Sequence, residues 1–152
     1  MGAGVGTALH ADIRVAAEGA QFGVPAAKLA LGYPFKNMKK IIDLVGPAKT
    51  KEIVFTGRRY SGEEALAMGL INQLVPADDL AEGVHELATT IAANAPLTIL
   101  ATKVIVAEAA KDPDDRDVAY CDVLVENCML SDDFKEGRTA FMEKRPPVFK
   151  GK

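Results

Sequence analysis

The chain has 152 residues, 49% of them apolar, with 18 basic and 21 acidic side chains and a net charge of −3. That length suits one domain burying about 68–70% of its unfolded surface, and so weak a charge excludes general electrostatic affinity for nucleic acid or an anionic membrane. No run of about 18 apolar residues occurs, and the amino terminus lacks the basic-then-apolar order of a secretory signal, so a cytoplasmic protein with no membrane partner is expected.

The first thirty residues mix glycine turns with short β-prone runs. Ile13 to Ala16 reads as a short buried strand. Phe22 to Leu29 contains Gly23 and Pro25, which interrupt ladder pairing, so an extended segment lining a ligand site is expected there. After Tyr33-Pro34 the period becomes helical, with Met38, Ile41, Ile42 and Val45 on one face and Gly46 ending the run. Pro47 then opens a second helix that stops at Gly57.

Ser61-Gly62-Glu63-Glu64 has the spacing at which a hydroxyl and a carboxylate reciprocally satisfy helix-end amides, predicting a helix to Met68 and a break at Gly69. Ile71 to Val75 reads as a strand. Leu80, Val84, Leu87 and Ile91 make an apolar stripe on a helix ending near Asn94, and Pro96 starts another that carries Leu97, Leu100, Ala101 and Val104. Asp112-Pro113 supplies a turn before a helix marked by Val118, Cys121, Val125 and Cys128. Its two cysteines lie about 10.5 Å apart along the axis, beyond disulfide reach, and are expected as reduced thiols. Ser131 is a good N-cap for a last helix on which Phe134, Arg138 and Phe141 share a face. The order is a small α/β beginning followed by a helical tail.

Gly2-x-Gly4-x-Gly6 is not a dinucleotide fingerprint, because only Met1 precedes it where a strand is required and the third glycine comes too soon. Histidines and cysteines lack metal-ligand spacing, so no metal site is expected. No serine sits in a nucleophile elbow. Basic residues are scattered without interleaved aromatics, against a nucleic-acid module.

Four segments carry a family resemblance: Gly2-Ala3-Gly4-Val5-Gly6, Ala11-Asp12-Ile13-Arg14-Val15-Ala16, Phe22-Gly23-Val24-Pro25-Ala26, and Phe141-Met142-Glu143-Lys144-Arg145-Pro146-Pro147-Val148-Phe149. In order, they resemble the C-terminal half of the enoyl-CoA hydratase/isomerase (crotonase) family. The resemblance implies an α/β chain forming the C-terminal part of a crotonase-like (ClpP/crotonase) spiral, with 1–76 as the β/α part of the core and 77–152 as a helical trimerisation region. The family's upstream β-β-α turns are not in this sequence, so by resemblance it is a truncated form, a chain with a misplaced start or a natural remnant.

In that family the middle residue of the glycine triplet donates its backbone N–H to the thioester oxygen of an acyl-CoA. Here that residue is Ala3, flanked by Gly2 and Gly4, and alanine keeps the N–H. The second oxyanion donor comes from a segment this chain does not contain. Aligning on Asp12-Ile13-Arg14 places the first family glutamate at Gly6, and aligning on Phe22-Gly23-x-Pro25 places the second at Ala26. Neither side chain moves a proton. Asp12 and Glu18 are the nearest carboxylates; Asp12 reads as an acceptor of local backbone hydrogen bonds and Glu18 as a solvated turn residue. His10, one turn from Gly6, is a runner-up proton carrier against a packed or capped histidine, and His85 reads as solvated.

Where relatives carry Pro-Gly-x-Gly-Gly this chain has Tyr33-Pro34-Phe35-Lys36-Asn37, bulk that reshapes the acyl pocket. Tyr33 brings a phenol able to act as a donor or weak acid, or to pack beside Phe35. By resemblance, Pro25 and Tyr33 line the substrate site, Phe141 packs beside the adenine of coenzyme A and Lys144 approaches its phosphates. The bland alternative gives Phe141 to the apolar stripe and Lys144 to the end of a helix. No cofactor is implied beyond the coenzyme A thioester as substrate, and a homotrimer or hexamer is the expected partnership. Two readings stay open: a catalytic member that stabilises an enolate using other proton carriers, and a non-catalytic acyl-CoA-binding or assembly homologue.

Overall fold

The computed structural model describes residues 3–152. The chain divides into two compact units, Met1–His85 and Glu86–Lys152.

In the first unit, helix α1 (Ala3–Ala8) inserts Val5, and Leu9 just beyond its end, into a core shared with Ala16, Val24, Ile41, Ile53, Tyr60, Leu70 and Ile71. Strand β1 (Val15–Ala17) runs parallel to β4 (Gln73–Val75), with Val15 opposite Gln73 and Ala17 opposite Val75. The expected strand begins two residues late because Arg14 is tied elsewhere: its N–H donates to Asn72 Oδ1 at 2.9 Å and its Nε to Leu70 O at 2.8 Å. Ile13 is therefore exposed rather than buried.

A second two-residue pairing, antiparallel, joins β2 (Gln21–Phe22) to β3 (Tyr60–Ser61). Beyond β2 the backbone does not stay extended. Ala26–Leu29 closes into a 3₁₀ turn after Pro25, and Ala30 in the left-handed region ends it, with Leu31 N–H donating to Ala26 O at 3.0 Å. The expected lining segment is thus a tight turn that buries Ala26 in the core.

Helix α2 spans Phe35–Thr56 but breaks at Gly46, whose φ of 76° and ψ of 166° suit only a residue without a β-carbon, and Pro47 restarts it with a φ already helical. The two halves send Ile41 and Ile53 inward, and Gly57 at φ 53° caps the second. Helix α3 (Gly62–Ala67) opens with the predicted reciprocal cap: Ser61 Oγ accepts from Glu64 N–H and Glu64 Oε2 accepts from Ser61 N–H at 2.8 Å. It ends at Gly69, φ 79°, where Leu70 N–H reaches back to Ala65 O at 2.9 Å.

Helix α4 (Leu80–Ala92) follows a 3₁₀ turn at Ala77–Asp79 and carries the chain from the first unit into the second. In the second unit, α5 (Pro96–Ala109) packs on α6 (Val118–Leu130), and α6 on α7 (Asp132–Glu143). Asp117 caps α6 by accepting from Tyr120 N–H, and Ser131 caps α7 by accepting from Phe134 N–H at 3.0 Å. Both cysteines are free thiols, and burial pushes the Cys121 thiol up. Among the described residues no single helix is long and apolar enough to cross a membrane.

The last residues fold back along α7. Asp133, 4% exposed, accepts from the Lys150 and Gly151 N–H groups at 2.7 Å each, while Lys152 O accepts from the first amides of α7. Gly137 leaves room for the Phe149 ring, 3.5 Å from where a β-carbon would stand. Glu136 adds a second tie, taking both guanidinium ends of Arg145 at 2.6 and 2.9 Å and the Val148 N–H at 2.9 Å. Arg145 first and the Val148 amide second hold the Glu136 carboxyl at about 2, against an ordinary 4.5. A depressed carboxyl stabilises the fold fully above its unfolded value and loses that contribution as pH falls through the folded one. The melting temperature is therefore expected to drop between about pH 4.5 and 2 more steeply in the wild type than in Glu136→Gln; parallel circular-dichroism melts in both would contradict this.

Candidate functional site around Gly6 and Ala26

The structure places most of the sequence-nominated residues of the first unit at the rim of one core. Gly2 lies outside the described residues. Ala3 is the first described residue of α1. Gly4 is exposed, with nothing within 4 Å of where a β-carbon would be. Gly6 is half-buried one turn further on, and Ala26 is buried at the start of its 3₁₀ turn, directly after Pro25. The two positions that the resemblance aligns with the family's glutamates thus carry a hydrogen atom and a methyl group.

Tyr33 reaches this place. Its hydroxyl and the Asn37 side-chain nitrogen each lie 3.9 Å from the point where a β-carbon on Gly6 would stand. The Tyr33 ring is partly buried against the core, and that burial pushes its phenol up, so it is a protonated donor at neutral pH. Phe35 is 81% exposed and forms no aromatic pair to explain Tyr33. Asn37 was missed as a site residue. The available signal was its spacing: Tyr33 and Asn37 are four apart across the start of α2, with Pro34 O accepting the Asn37 N–H at 3.0 Å.

The other proton-carrier candidates are engaged locally. His10 Nδ1 is 2.9 Å from Gly6 O on an exposed ring, the capped alternative. Asp12 acts on Arg14, its charge opposing the lowering that burial imposes on that guanidinium. Glu18 is exposed in a turn, with its backbone N–H given to Val75 O at 2.8 Å.

The nominated coenzyme residues sit in the second unit. Phe141 is 82% exposed and lines a cleft of about 650 Å³ with Leu97, Ala101, Ile105, Phe134 and Phe149, so it does not simply continue a buried stripe. Arg138 lies over the Phe134 ring at 5.8 Å. Lys144 ends α7 in the left-handed region, φ 54°, where Arg145 N–H bonds Ala140 O and Lys144 N–H bonds Phe141 O. That motif usually takes glycine, as Gly69 does at the end of α3. A lysine is thus held in a costly conformation three residues from the exposed aromatic.

These elements are those of a crotonase-fold chain. A family model for enoyl-CoA hydratase/isomerase matches residues 1–152, and the chain belongs to that family. It is 39% identical over 155 residues to carnitinyl-CoA dehydratase from Salmonella typhi, covering 99% of this chain and 59% of the relative. The crystal structure of an enoyl-CoA hydratase from Bacillus anthracis superposes with a TM-score of 0.90 at 34% identity, covering 99% of this chain and 58% of that one. A Hyphomonas neptunium enoyl-CoA hydratase/isomerase family structure superposes at 0.87 with 39% identity, covering 99% and 57%. The chain therefore spans about three fifths of the length of the curated relatives it matches.

Proposed function

We propose that this chain binds acyl-CoA thioesters, holds the thioester oxygen at the Ala3 N–H, and does not by itself hydrate enoyl thioesters. What supports this reading is a helix at the glycine motif beside two lost acids: α1 holds Ala3, whereas Gly6 and Ala26 offer no proton. Amides fixed at a helix N-terminus need no side chain to stabilise a developing enolate oxygen. Water addition, by contrast, needs a group to deprotonate water and another to protonate carbon. Crotonyl-CoA is expected to show no hydration above the buffer rate with this chain, and clear turnover would refute the binding-only reading.

In the same reading the adenine lies beside Phe141 and the phosphates near Lys144, two residues supplied across a subunit boundary. Lys144→Gly tests this without risk to folding, since glycine relieves the left-handed strain and stabilises the helix end by about 0.5–1 kcal/mol. The variant is expected to melt higher yet bind coenzyme A about tenfold more weakly by calorimetry, the loss of one charge-assisted phosphate contact. Unchanged affinity would remove Lys144 from the site.

The second reading, an assembly homologue, draws on the exposed Met129, Leu130, Phe141 and Met142 of the helical unit. Large exposed apolar side chains favour burial against other copies, in keeping with a homotrimer or hexamer.

A further inference from the structure

We propose that Tyr33 and Asn37 form, against Gly6, a two-donor recess that selects acyl thioesters carrying an acceptor oxygen on the acyl chain. The inference rests on the acyl-CoA reading above and deepens it. An acidic side chain at position 6 would fill this space with negative charge; glycine leaves it open and neutral. What faces the opening instead is a phenol O–H and a carboxamide, each 3.9 Å from the β-carbon point and neither hydrogen-bonded to any described residue. An oxygen at that point is 3.9 Å from each, and a move of about 1 Å towards either makes a hydrogen bond.

The recess is correctly placed for the acyl group. Ala3 and Gly6 are three residues apart in α1, so they share a face and are separated by about 4.5 Å along the axis. A thioester oxygen at the Ala3 amide thus puts the first few acyl carbons alongside Gly6. A plain aliphatic chain there strips water from two donors and returns nothing, whereas a hydroxyl or carboxylate oxygen replaces that water. Tyr33 and Asn37 are therefore specificity residues rather than proton carriers. Tyr33 lies just before α2, and the Asn37 backbone is fixed in the first turn of that helix.

The test is calorimetric binding of butyryl-CoA, 3-hydroxybutyryl-CoA and malonyl-CoA to the full 152-residue chain, to Tyr33→Phe/Asn37→Ala and to Gly6→Ala. The wild type is expected to bind at least one oxygenated thioester about tenfold more tightly than butyryl-CoA. Preference for the hydroxy compound identifies a neutral oxygen as the occupant, and preference for malonyl-CoA a carboxylate. The double variant should bring the ratio close to one. Gly6→Ala should do the same in a fold that is kept, because its methyl group makes only ordinary contacts and alanine suits a helix better than glycine. A wild-type ratio near one, or a ratio that survives in both variants while coenzyme A still binds, overturns the proposal. Failure of coenzyme A and all three thioesters to bind overturns the acyl-CoA reading itself and this inference with it.

Discussion

Tyr60→Ala is expected to destabilise the Met1–His85 unit by about 3–5 kcal/mol, the cost of deleting a fully buried aromatic ring. Tyr60 is 2% exposed and is among the largest fully buried side chains. It stands on β3, whose pairing with β2 leads directly into the turn that carries Ala26. Its hydroxyl donates to Glu52 Oε1 at 3.2 Å, and the Arg58 guanidinium lies 3.7 Å above its ring. Tyr60→Phe separates these contributions: it keeps the ring and loses the hydrogen bond, so about 0.5–1.5 kcal/mol is expected. Urea titration of both variants measures the difference. Equal losses would mean that the polar tie to Glu52, rather than packing, holds this strand. Since domains of this size are stable by only about 5–15 kcal/mol, the alanine variant should also lose ligand binding at physiological temperature.

The second large effect is expected at Asp133. Asp133→Ala strips the acceptor from the Lys150 and Gly151 amides inside a nearly sealed site and should cost about 2–4 kcal/mol, most of it from two donors left without partners. Asp133→Asn retains one acceptor oxygen and should cost less. Hydrogen exchange at those two amides reads the effect directly: protection should vanish in the alanine variant and fall partly in the asparagine one. Unaltered protection would show that the Glu136–Arg145 tie alone secures the tail.

Much of the secondary structure was legible because its signals are local. The Ser61–Glu64 box, the Gly46-Pro47 break, the glycine stops at Gly57 and Gly69 and the Ser131 cap each involve residues within four of one another, so spacing alone states the hydrogen bond. What stayed hidden depends on partners far apart in the chain. Arg14 meets Asn72 across 58 residues, which shifts β1, and Asp133 meets Lys150 across 17, which pins the tail. Pro25 was read correctly as a ladder breaker, yet whether the chain then stays straight or curls was decided by the core space waiting for Ala26. For the candidate site, the losses at Gly6 and Ala26 could be read by resemblance. That Tyr33 and Asn37 meet at Gly6 could not, because it joins α1 to residues at the start of α2, with β1 and β2 between them in the chain.

The placement of the tyrosines gives this chain a built-in optical label. With no tryptophan present, near-ultraviolet emission comes from Tyr33, Tyr60 and Tyr120 alone. Two of them report on the Met1–His85 unit, and one, on α6, reports on the helical unit. Replacing Tyr120 by phenylalanine silences the latter, so a single spectroscopic melt of that variant follows the first unit without any added dye.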